Sequence, residues 1–93
     1  MTTEVKASHI LVKTEDEAMN LYNEIQSGKS FSDLAAEYSQ CPSGRNGGDL
    51  GYFSKGMMVK PFEDATFAME VGEVSMPVKT QFGFHLIQLV DKK

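Results

Sequence analysis

The chain has 93 residues, of which 41% are hydrophobic, and its formal net charge is −4 at pH 7. This length accommodates one small globular domain, which we assign to residues 1–93. The negative charge and the scattered lysines provide no basic stripe, so we expect no nucleic-acid partner. No apolar run approaches the roughly 20 residues that a membrane-spanning helix requires, so we expect no membrane insertion.

The compartment is predicted from the first residues and from the cysteine content. The segment Met1–Glu4 leads directly into the first predicted strand and has neither the charged nor the apolar region of a secretory signal. Cys41 is the only cysteine, so it cannot form an internal disulfide, which fits a reducing cytoplasm. We therefore predict a cytoplasmic location, or an extracytoplasmic one if the chain is a domain cut from a larger protein. We also expect a monomer.

The first predicted element is a strand over residues 5–13. Apolar residues occur on both of its faces, which is typical of a strand in the middle of a sheet. One face carries Ile10 and Val12, and the other carries Ala7, His9 and Leu11.

Two amphipathic helices are predicted to follow this strand. Thr14 and Glu17 have the spacing of a capping box, and the helix behind them is predicted to end at Gly28. Ser30 is placed to cap a second helix, which should end before Cys41, because a residue that precedes proline is disfavoured in helical conformation. In each helix the apolar residues recur at the spacing of one buried face.

The second half of the chain predicts a loop, a short strand and a third helix. Residues 42–49 are rich in glycine and predict a loop or tight turns, and a strand follows over residues 50–54. A third long helix has Pro61 at its first position and is predicted to end at Gly72.

Two more strands complete the predicted domain. They cover residues 75–80 and 83–90, and the short connection between them predicts a hairpin. The order of elements predicts an α+β domain with three helices and a mostly antiparallel four-stranded sheet.

His9 and His85 are the only histidines, and each lies inside an apolar run that predicts a strand. A single histidine in a strand is usually a packing feature. A pair of them, with the only cysteine and a glycine-rich loop between them in sequence, predicts one buried polar site assembled from distant segments. Two buried structural histidines are the alternative.

Six short motifs run in order along nearly the whole chain. They are Ser8–Lys13, Tyr38–Cys41, Gly47–Phe53, Met58–Phe62, Val71–Ser75 and Phe82–His85. Each is weak alone, because glycine-rich segments and single histidines are common. Together, with almost no additional sequence, they resemble the parvulin-type peptidyl-prolyl cis/trans isomerases, in the small form that is not directed at phosphate.

The resemblance implies an FKBP-like parvulin fold, with three main helices and one short extra helical turn. It also implies catalysed rotation about Xaa-Pro peptide bonds, which assists protein folding. Unaided rotation is slow because its barrier is roughly 18 to 20 kcal/mol. No bond has to break, so an enzyme can act by binding the twisted amide better than either planar isomer. The resemblance implies no cofactor and no metal, and the partners would be proline-containing peptide segments of client proteins.

The resemblance also implies which residues contact the substrate. Leu50, Phe53, Met58 and Phe62 would line a proline pocket over the sheet, and Phe82 would add apolar surface beside it. Ordinary core packing is the alternative for each of them. Phe62 fits both roles, because it also lies in the predicted inner stripe of the third helix.

By the same resemblance, His9 and His85 would lie side by side on adjacent strands at the floor of this pocket. Thr80 could hold the far end of the pair through its hydroxyl group. A doubly charged pair is unfavourable in a buried site. We therefore interpret the two histidines as a neutral, orienting pair rather than as an acid and a base.

Cys41 would face the substrate peptide bond, and three interpretations of it are open. A covalent nucleophile needs a lowered pKa and an adjacent base. A metal ligand, together with His9 and His85, is disfavoured because the chain has no second cysteine and no clustered ligand spacing. A polar or partly anionic neighbour of the twisted amide is favoured, since some parvulins carry Asp at this place.

Specificity is predicted from the differences to the phosphate-directed parvulins. Those enzymes carry a basic loop after the first strand, whereas Lys13 here leads into the acidic segment Thr14–Glu17. Phe82 and Met58 offer apolar surface instead. We therefore predict a preference for an uncharged or apolar residue before proline. A binding module that grips proline-containing segments without catalysing much rotation is the alternative function.

Overall fold

A computed structural model describes residues 2–93, so only Met1 of the predicted domain lies outside the described residues. The elements follow the predicted order, and the extra helical turn lies in the glycine-rich loop. They are β1 (Glu4–Val12), α1 (Glu15–Gln26), α2 (Phe31–Tyr38), a 3₁₀ helix (Pro42–Asn46), β2 (Asp49–Ser54), α3 (Lys60–Phe67), β3 (Val78–Thr80) and β4 (Gly83–Lys92).

The four strands form one sheet in the order β2-β1-β4-β3, and every neighbouring pair is antiparallel. β1 is therefore a central strand, as predicted. In its register with β4, His9 lies opposite Ile87 and Leu11 lies opposite His85. The two histidines are thus diagonal neighbours on adjacent strands, and their side chains project from the same face of the sheet.

Helices cover the sheet on both sides. The first side, here called the two-helix face, packs against α1 and α2, and the second, the α3 face, packs against α3. The buried cluster on the two-helix face consists of Ile10, Val12, Ala18, Leu21, Phe31, Leu34, Ala35 and Leu86. The cluster on the α3 face consists of Val5, Ala7, Phe53, Phe62, Met69, Ile87 and Leu89.

α1 and α2 begin at the predicted residues because hydroxyl side chains cap them. The hydroxyl of Thr14 accepts a hydrogen bond from the Glu17 amide at 3.2 Å, and that of Ser30 accepts one from the Asp33 amide at 3.3 Å. Each bond satisfies an amide that has no partner inside its helix. Within residues 2–93, no helix has the length and apolar character needed to cross a bilayer.

α3 is shorter than predicted, because it ends at Phe67 rather than at Gly72. Here the backbone forms hydrogen bonds with the outer edge of β4 in place of further helical ones. The amide of Gly72 donates to the carbonyl of Leu89 at 2.8 Å, so the backbone has already left the helix and reached β4. Met69, predicted on the inner stripe of the helix, is buried but lies beyond the helix end.

β3 is also shorter than predicted, with Val78–Thr80 in place of residues 75–80. Pro77 has no amide hydrogen and interrupts the ladder. Before it, the chain contacts β4 through an isolated bridge between Val74 and Gln88. β3 and this extended segment together cover the outer edge of β4.

Candidate active site

A pocket of about 470 Å³ opens on the α3 face beside the amino-terminal end of α3. Apolar side chains make up most of its walls, and its polar groups are few. Such a concave, mostly apolar site is typical of ligand pockets. Its lining residues are His9, Leu11, Gln40, Cys41, Pro42, Leu50, Met57, Met58, Val59, Phe62, Phe82 and His85.

The pocket brings together most of the predicted site residues. Those that line it are His9, Cys41, Leu50, Met58, Phe62, Phe82 and His85. Thr80 lies behind the wall, where its hydroxyl contacts His85. Phe53, predicted to line the pocket, instead lies behind it. It is 1% exposed, and its ring supports Phe62 with the ring centroids 6.0 Å apart.

Five lining residues were not among the predicted site residues. Leu11 carries a usable sequence signal, because it shares the strand face of His9. Met57 precedes a predicted pocket residue in the same loop, but its orientation depends on how that loop folds. The five are Leu11, Gln40, Pro42, Met57 and Val59.

His9 and His85 meet edge to edge on the pocket floor. Their Nδ1 atoms lie 3.0 Å apart, and the ring planes differ by 17°. One Nδ1 must therefore carry the shared proton while the other accepts it. Phe62 packs its ring at steep angles, 87° and 76°, against these two imidazoles and so covers the pair.

Both histidines are held neutral. Their exposed fractions are 6% for His9 and 4% for His85. Burial and, to a smaller extent, the nearby His85 together lower the pKa of His9 to about 4. Burial also lowers the pKa of His85. At neutral pH the pair therefore carries no charge, as a buried site favours.

The β3–β4 hairpin holds Nε2 of His85 against the hydroxyl group of Thr80. The Phe82 amide donates to the Thr80 hydroxyl oxygen at 3.1 Å, and this oxygen lies 2.7 Å from Nε2 of His85. The hydroxyl has one proton and two lone pairs, so it can accept the amide hydrogen and then either donate to Nε2 or accept from it. The hydrogen bonds at the other end of the network, at Ser43, decide between the two.

The same chain of hydrogen bonds continues to Cys41. Nε2 of His9 lies 3.1 Å from the Ser43 hydroxyl oxygen, which lies 3.3 Å from the sulfur of Cys41. The Ser43 hydroxyl donates its proton to the sulfur, so its oxygen accepts from Nε2 of His9. Nδ1 of His9 therefore accepts from Nδ1 of His85, and Nε2 of His85 accepts from the Thr80 hydroxyl. Every link has one donor and one acceptor, so a neutral network runs beneath the pocket from the hairpin to Cys41.

Cys41 is held on the pocket wall by the segment that follows α2. The Gln40 amide donates to the carbonyl of Leu11 at 2.8 Å. The Ser39 hydroxyl accepts from the amides of Leu11 and Cys41 at 3.1 and 3.3 Å. This segment binds to β1 beyond the last residue that pairs with β2, and so brings the cysteine to the histidine strand.

The glycine-rich loop requires glycine at position 48. The His9 amide donates to the Gly48 carbonyl at 2.9 Å, and Gly48 has a φ of +85°. A Cβ atom here would lie 2.2 Å from the carbonyl oxygen of His9. Only glycine allows this close approach, which holds the loop against the histidine strand.

The site offers Cys41 neither a metal cluster nor an adjacent base. Within residues 2–93, no three His, Cys, Asp or Glu side chains lie together in an arrangement that could hold a metal ion. The side chain hydrogen-bonded to the sulfur is that of Ser43, and the Ser43 hydroxyl lies between the sulfur and His9.

The family model of the PPIC-type peptidyl-prolyl isomerase domain matches residues 1–93. The chain belongs to this family, the parvulins. The foldase protein PrsA of Geobacillus kaustophilus is 53% identical over 90 residues, which cover 96% of this chain and 32% of that protein. The chain thus spans about a third of the length of the PrsA relatives that it matches.

Solved parvulin structures share the fold. The peptidylprolyl isomerase PrsA from Bacillus anthracis superposes with a TM-score of 0.97 at 44% identity, covering 99% of this chain and 43% of that one. NmPin, the parvulin of Nitrosopumilus maritimus, gives a TM-score of 0.88 at 48% identity and covers 98% of this chain and 99% of its own. The predicted parvulin fold and isomerase class are thereby confirmed.

Proposed function

We propose that this isomerase domain rotates Xaa-Pro bonds in flexible segments of client proteins by a non-covalent mechanism, and that it prefers an apolar residue before proline. One observation carries the proposal. An apolar pocket large enough for a proline ring has a neutral, hydrogen-bonded histidine pair as its floor and Cys41 on its wall.

The non-covalent mechanism rests on what surrounds the sulfur of Cys41. A nucleophilic thiol needs a base within hydrogen-bonding reach, whereas this sulfur accepts a hydrogen bond from a serine hydroxyl. Rotation needs no nucleophile. As the amide twists, its nitrogen becomes more basic and its carbonyl loses partial negative charge.

A water-poor pocket that grips the proline ring favours that twisted state. The planar amide is stabilised by solvation of its polar resonance form, and the apolar walls withhold this solvation. Each tenfold of rate needs about 1.4 kcal/mol of preference for the twisted amide. The sulfur of Cys41 and the packed floor beneath Phe62 provide a pre-formed environment for it.

The apolar preference rests on the side chains at the pocket mouth. Phe82 is 60% exposed and Met57 is 65% exposed, and both line the pocket. Among residues 2–93, no lysine or arginine lines it. The first turn of α1, which follows Lys13, carries the acidic side chains Glu15, Asp16 and Glu17. An anionic residue before proline would gain no ion pair from these groups, whereas an apolar one would gain burial.

The setting of the domain is proposed from its relatives. Long foldases that contain a region similar to this chain support a role in protein folding. One structural match comes from a pair of related SurA-like chaperones of Campylobacter jejuni, PEB4 and the periplasmic protein Cj1289. This match supports an extracytoplasmic location over a cytoplasmic one. We propose that the domain acts as a monomer, because its own residues supply the whole pocket lining.

Exchange spectroscopy by NMR on four peptides of equal length tests the proposal. We expect Leu-Pro and Phe-Pro peptides to be isomerised more efficiently than phosphoserine-Pro and Glu-Pro peptides. Faster turnover of the phosphoserine peptide would overturn the specificity. Saturable binding of all four without accelerated exchange would replace the isomerase by a binding module.

A further inference from the structure

Glu63 is a buried acidic residue that the mechanism above does not use. Among residues 2–93, it is the one buried carboxylate side chain, with 8% of its surface exposed. Its Oε1 atom accepts a hydrogen bond from the Gly56 amide at 2.6 Å. A buried carboxylate that accepts a backbone amide makes one of the stronger hydrogen bonds in proteins.

The partner of Glu63 lies in the segment that joins β2 to α3. This segment, residues 55–59, is here called the methionine loop. It contributes Met57, Met58 and Val59 to the wall of the pocket. Gly56 has a φ of +92°, so the loop turns sharply at the residue that Glu63 holds.

Glu63 lies in the first turn of α3, four residues after the capping residue Val59, which makes no side-chain capping bond. A capping box places its acidic residue three positions after the cap, where this chain has Phe62. The carboxylate instead reaches Gly56, seven residues earlier in the chain. The adjacent residue Phe62 covers the histidine pair. α3 therefore packs Phe62 against the histidines of the pocket floor and binds the loop of the pocket wall through Glu63.

We propose that Glu63 is a positioning residue for the isomerase reaction. It holds the backbone of the methionine loop against α3, so that Met57 and Met58 keep the wall of the substrate pocket in place. Their flexible side chains can still adapt to different apolar residues. The inference rests on the proposed function, because it takes this pocket to be the substrate site.

Two variants of Glu63 and one matched control test the inference. Glu63→Gln keeps an oxygen that can accept from Gly56, whereas Glu63→Leu keeps the size and removes the acceptor. Asp64→Leu is the control, because Asp64 is the next residue on α3, is exposed and, among residues 2–93, forms an ion pair only with Lys60. We expect Glu63→Leu to raise KM for a Leu-Pro peptide about tenfold while kcat changes less than about twofold. Glu63→Gln and Asp64→Leu should remain near wild type.

A second measurement on the wild-type protein separates the hydrogen bond from catalysis. Amide hydrogen exchange should show Gly56 protected, although it lies in a surface turn, and the protection should be lost in Glu63→Leu and kept in Glu63→Gln. If the Gly56 amide of the wild-type protein exchanges as fast as that of an unstructured loop, the inference is wrong. This test does not require that any variant folds. An unchanged KM in a folded Glu63→Leu variant would also overturn the inference. A wild-type protein that does not isomerise the peptide would reject the proposed function. The protection of the Gly56 amide by Glu63 would not be affected by that result.

Discussion

The two faces of the sheet use the same strands for different purposes. The two-helix face is closed by α1 and α2 over a continuous apolar cluster. The α3 face is covered by a single helix of 8 residues, which leaves the His9 and His85 end of the sheet open to the pocket. The site therefore occupies the part of the α3 face that the short helix does not cover. One face holds the sheet together, and the other combines packing with chemistry.

The largest effect is expected on the two-helix face. Leu86 is fully buried there, so Leu86→Ala should lower the free energy of unfolding by about 2 to 5 kcal/mol through lost burial and a cavity. Chemical denaturation measures this loss. Because Leu86 does not line the pocket, turnover per folded molecule should stay near wild type. Loss of turnover in the folded variant would break the division between the two faces.

Acid should act mainly on the α3 face. The pKa of His9 is about 4 in the folded protein and about 6.5 in the unfolded chain. Between these two pH values the unfolded chain therefore binds more protons than the folded protein. Stability should therefore fall as the pH drops from about 6.5 to about 4, by about 3 kcal/mol from this residue. His85 acts in the same direction. NMR titration of the imidazole carbons measures the pKa, and a value for His9 at or above 6.5 would contradict the neutral pair.

Removing one histidine should affect stability and turnover together. His85→Ala and His9→Ala each leave the other imidazole without its Nδ1 partner, at a cost of about 1 to 3 kcal/mol in unfolding free energy. Both should also lose turnover, because the pocket floor is no longer held in place. Thermal melting and peptide exchange measure the two effects. Variants that melt like wild type would show that the hydrogen bond between the rings contributes nothing.

Cys41 should affect turnover more than stability. Cys41→Ala should lose most of the activity, about tenfold, while Cys41→Asp should keep much of it, because rotation needs a suitable field near the amide and not a bond to sulfur. Peptide exchange rates compare the two variants, and mass spectrometry during turnover looks for an adduct. A dead Cys41→Asp variant together with a covalent adduct in wild type would restore the nucleophile.

The fold could be predicted from the sequence where local chemistry dominates. The caps Thr14 and Ser30 act through residues three positions away, so α1 and α2 begin where expected. The end of α3 could not be predicted in this way, because it depends on the hydrogen bond between Gly72 and Leu89, which are distant in sequence. The late start of β3 does have a local signal, since Pro77 directly precedes it and has no amide hydrogen.

The site could be predicted in its residues but not in its connections. The resemblance to the parvulins implies that His9 and His85 lie side by side on adjacent strands, and the register of β1 with β4 brings them into contact. The link from His9 through Ser43 to Cys41 depends on the fold of the glycine-rich loop, and a serine there carries no distinct sequence signal. A motif indicates which residues are close along the chain but not how deep each lies below the surface. Phe53 is therefore predicted in the pocket wall, whereas it lies behind Phe62.

The most direct test follows binding and rotation in one experiment. A Leu-Pro peptide is titrated into isotope-labelled protein, while the chemical shifts of the protein and the cis/trans exchange rate of the peptide are recorded together. The account predicts that shifts at Met58, Phe62 and Phe82 saturate at the same peptide concentration as the exchange rate. Accelerated exchange with shifts confined to α1 and α2 would contradict the assignment of catalysis to the α3 face.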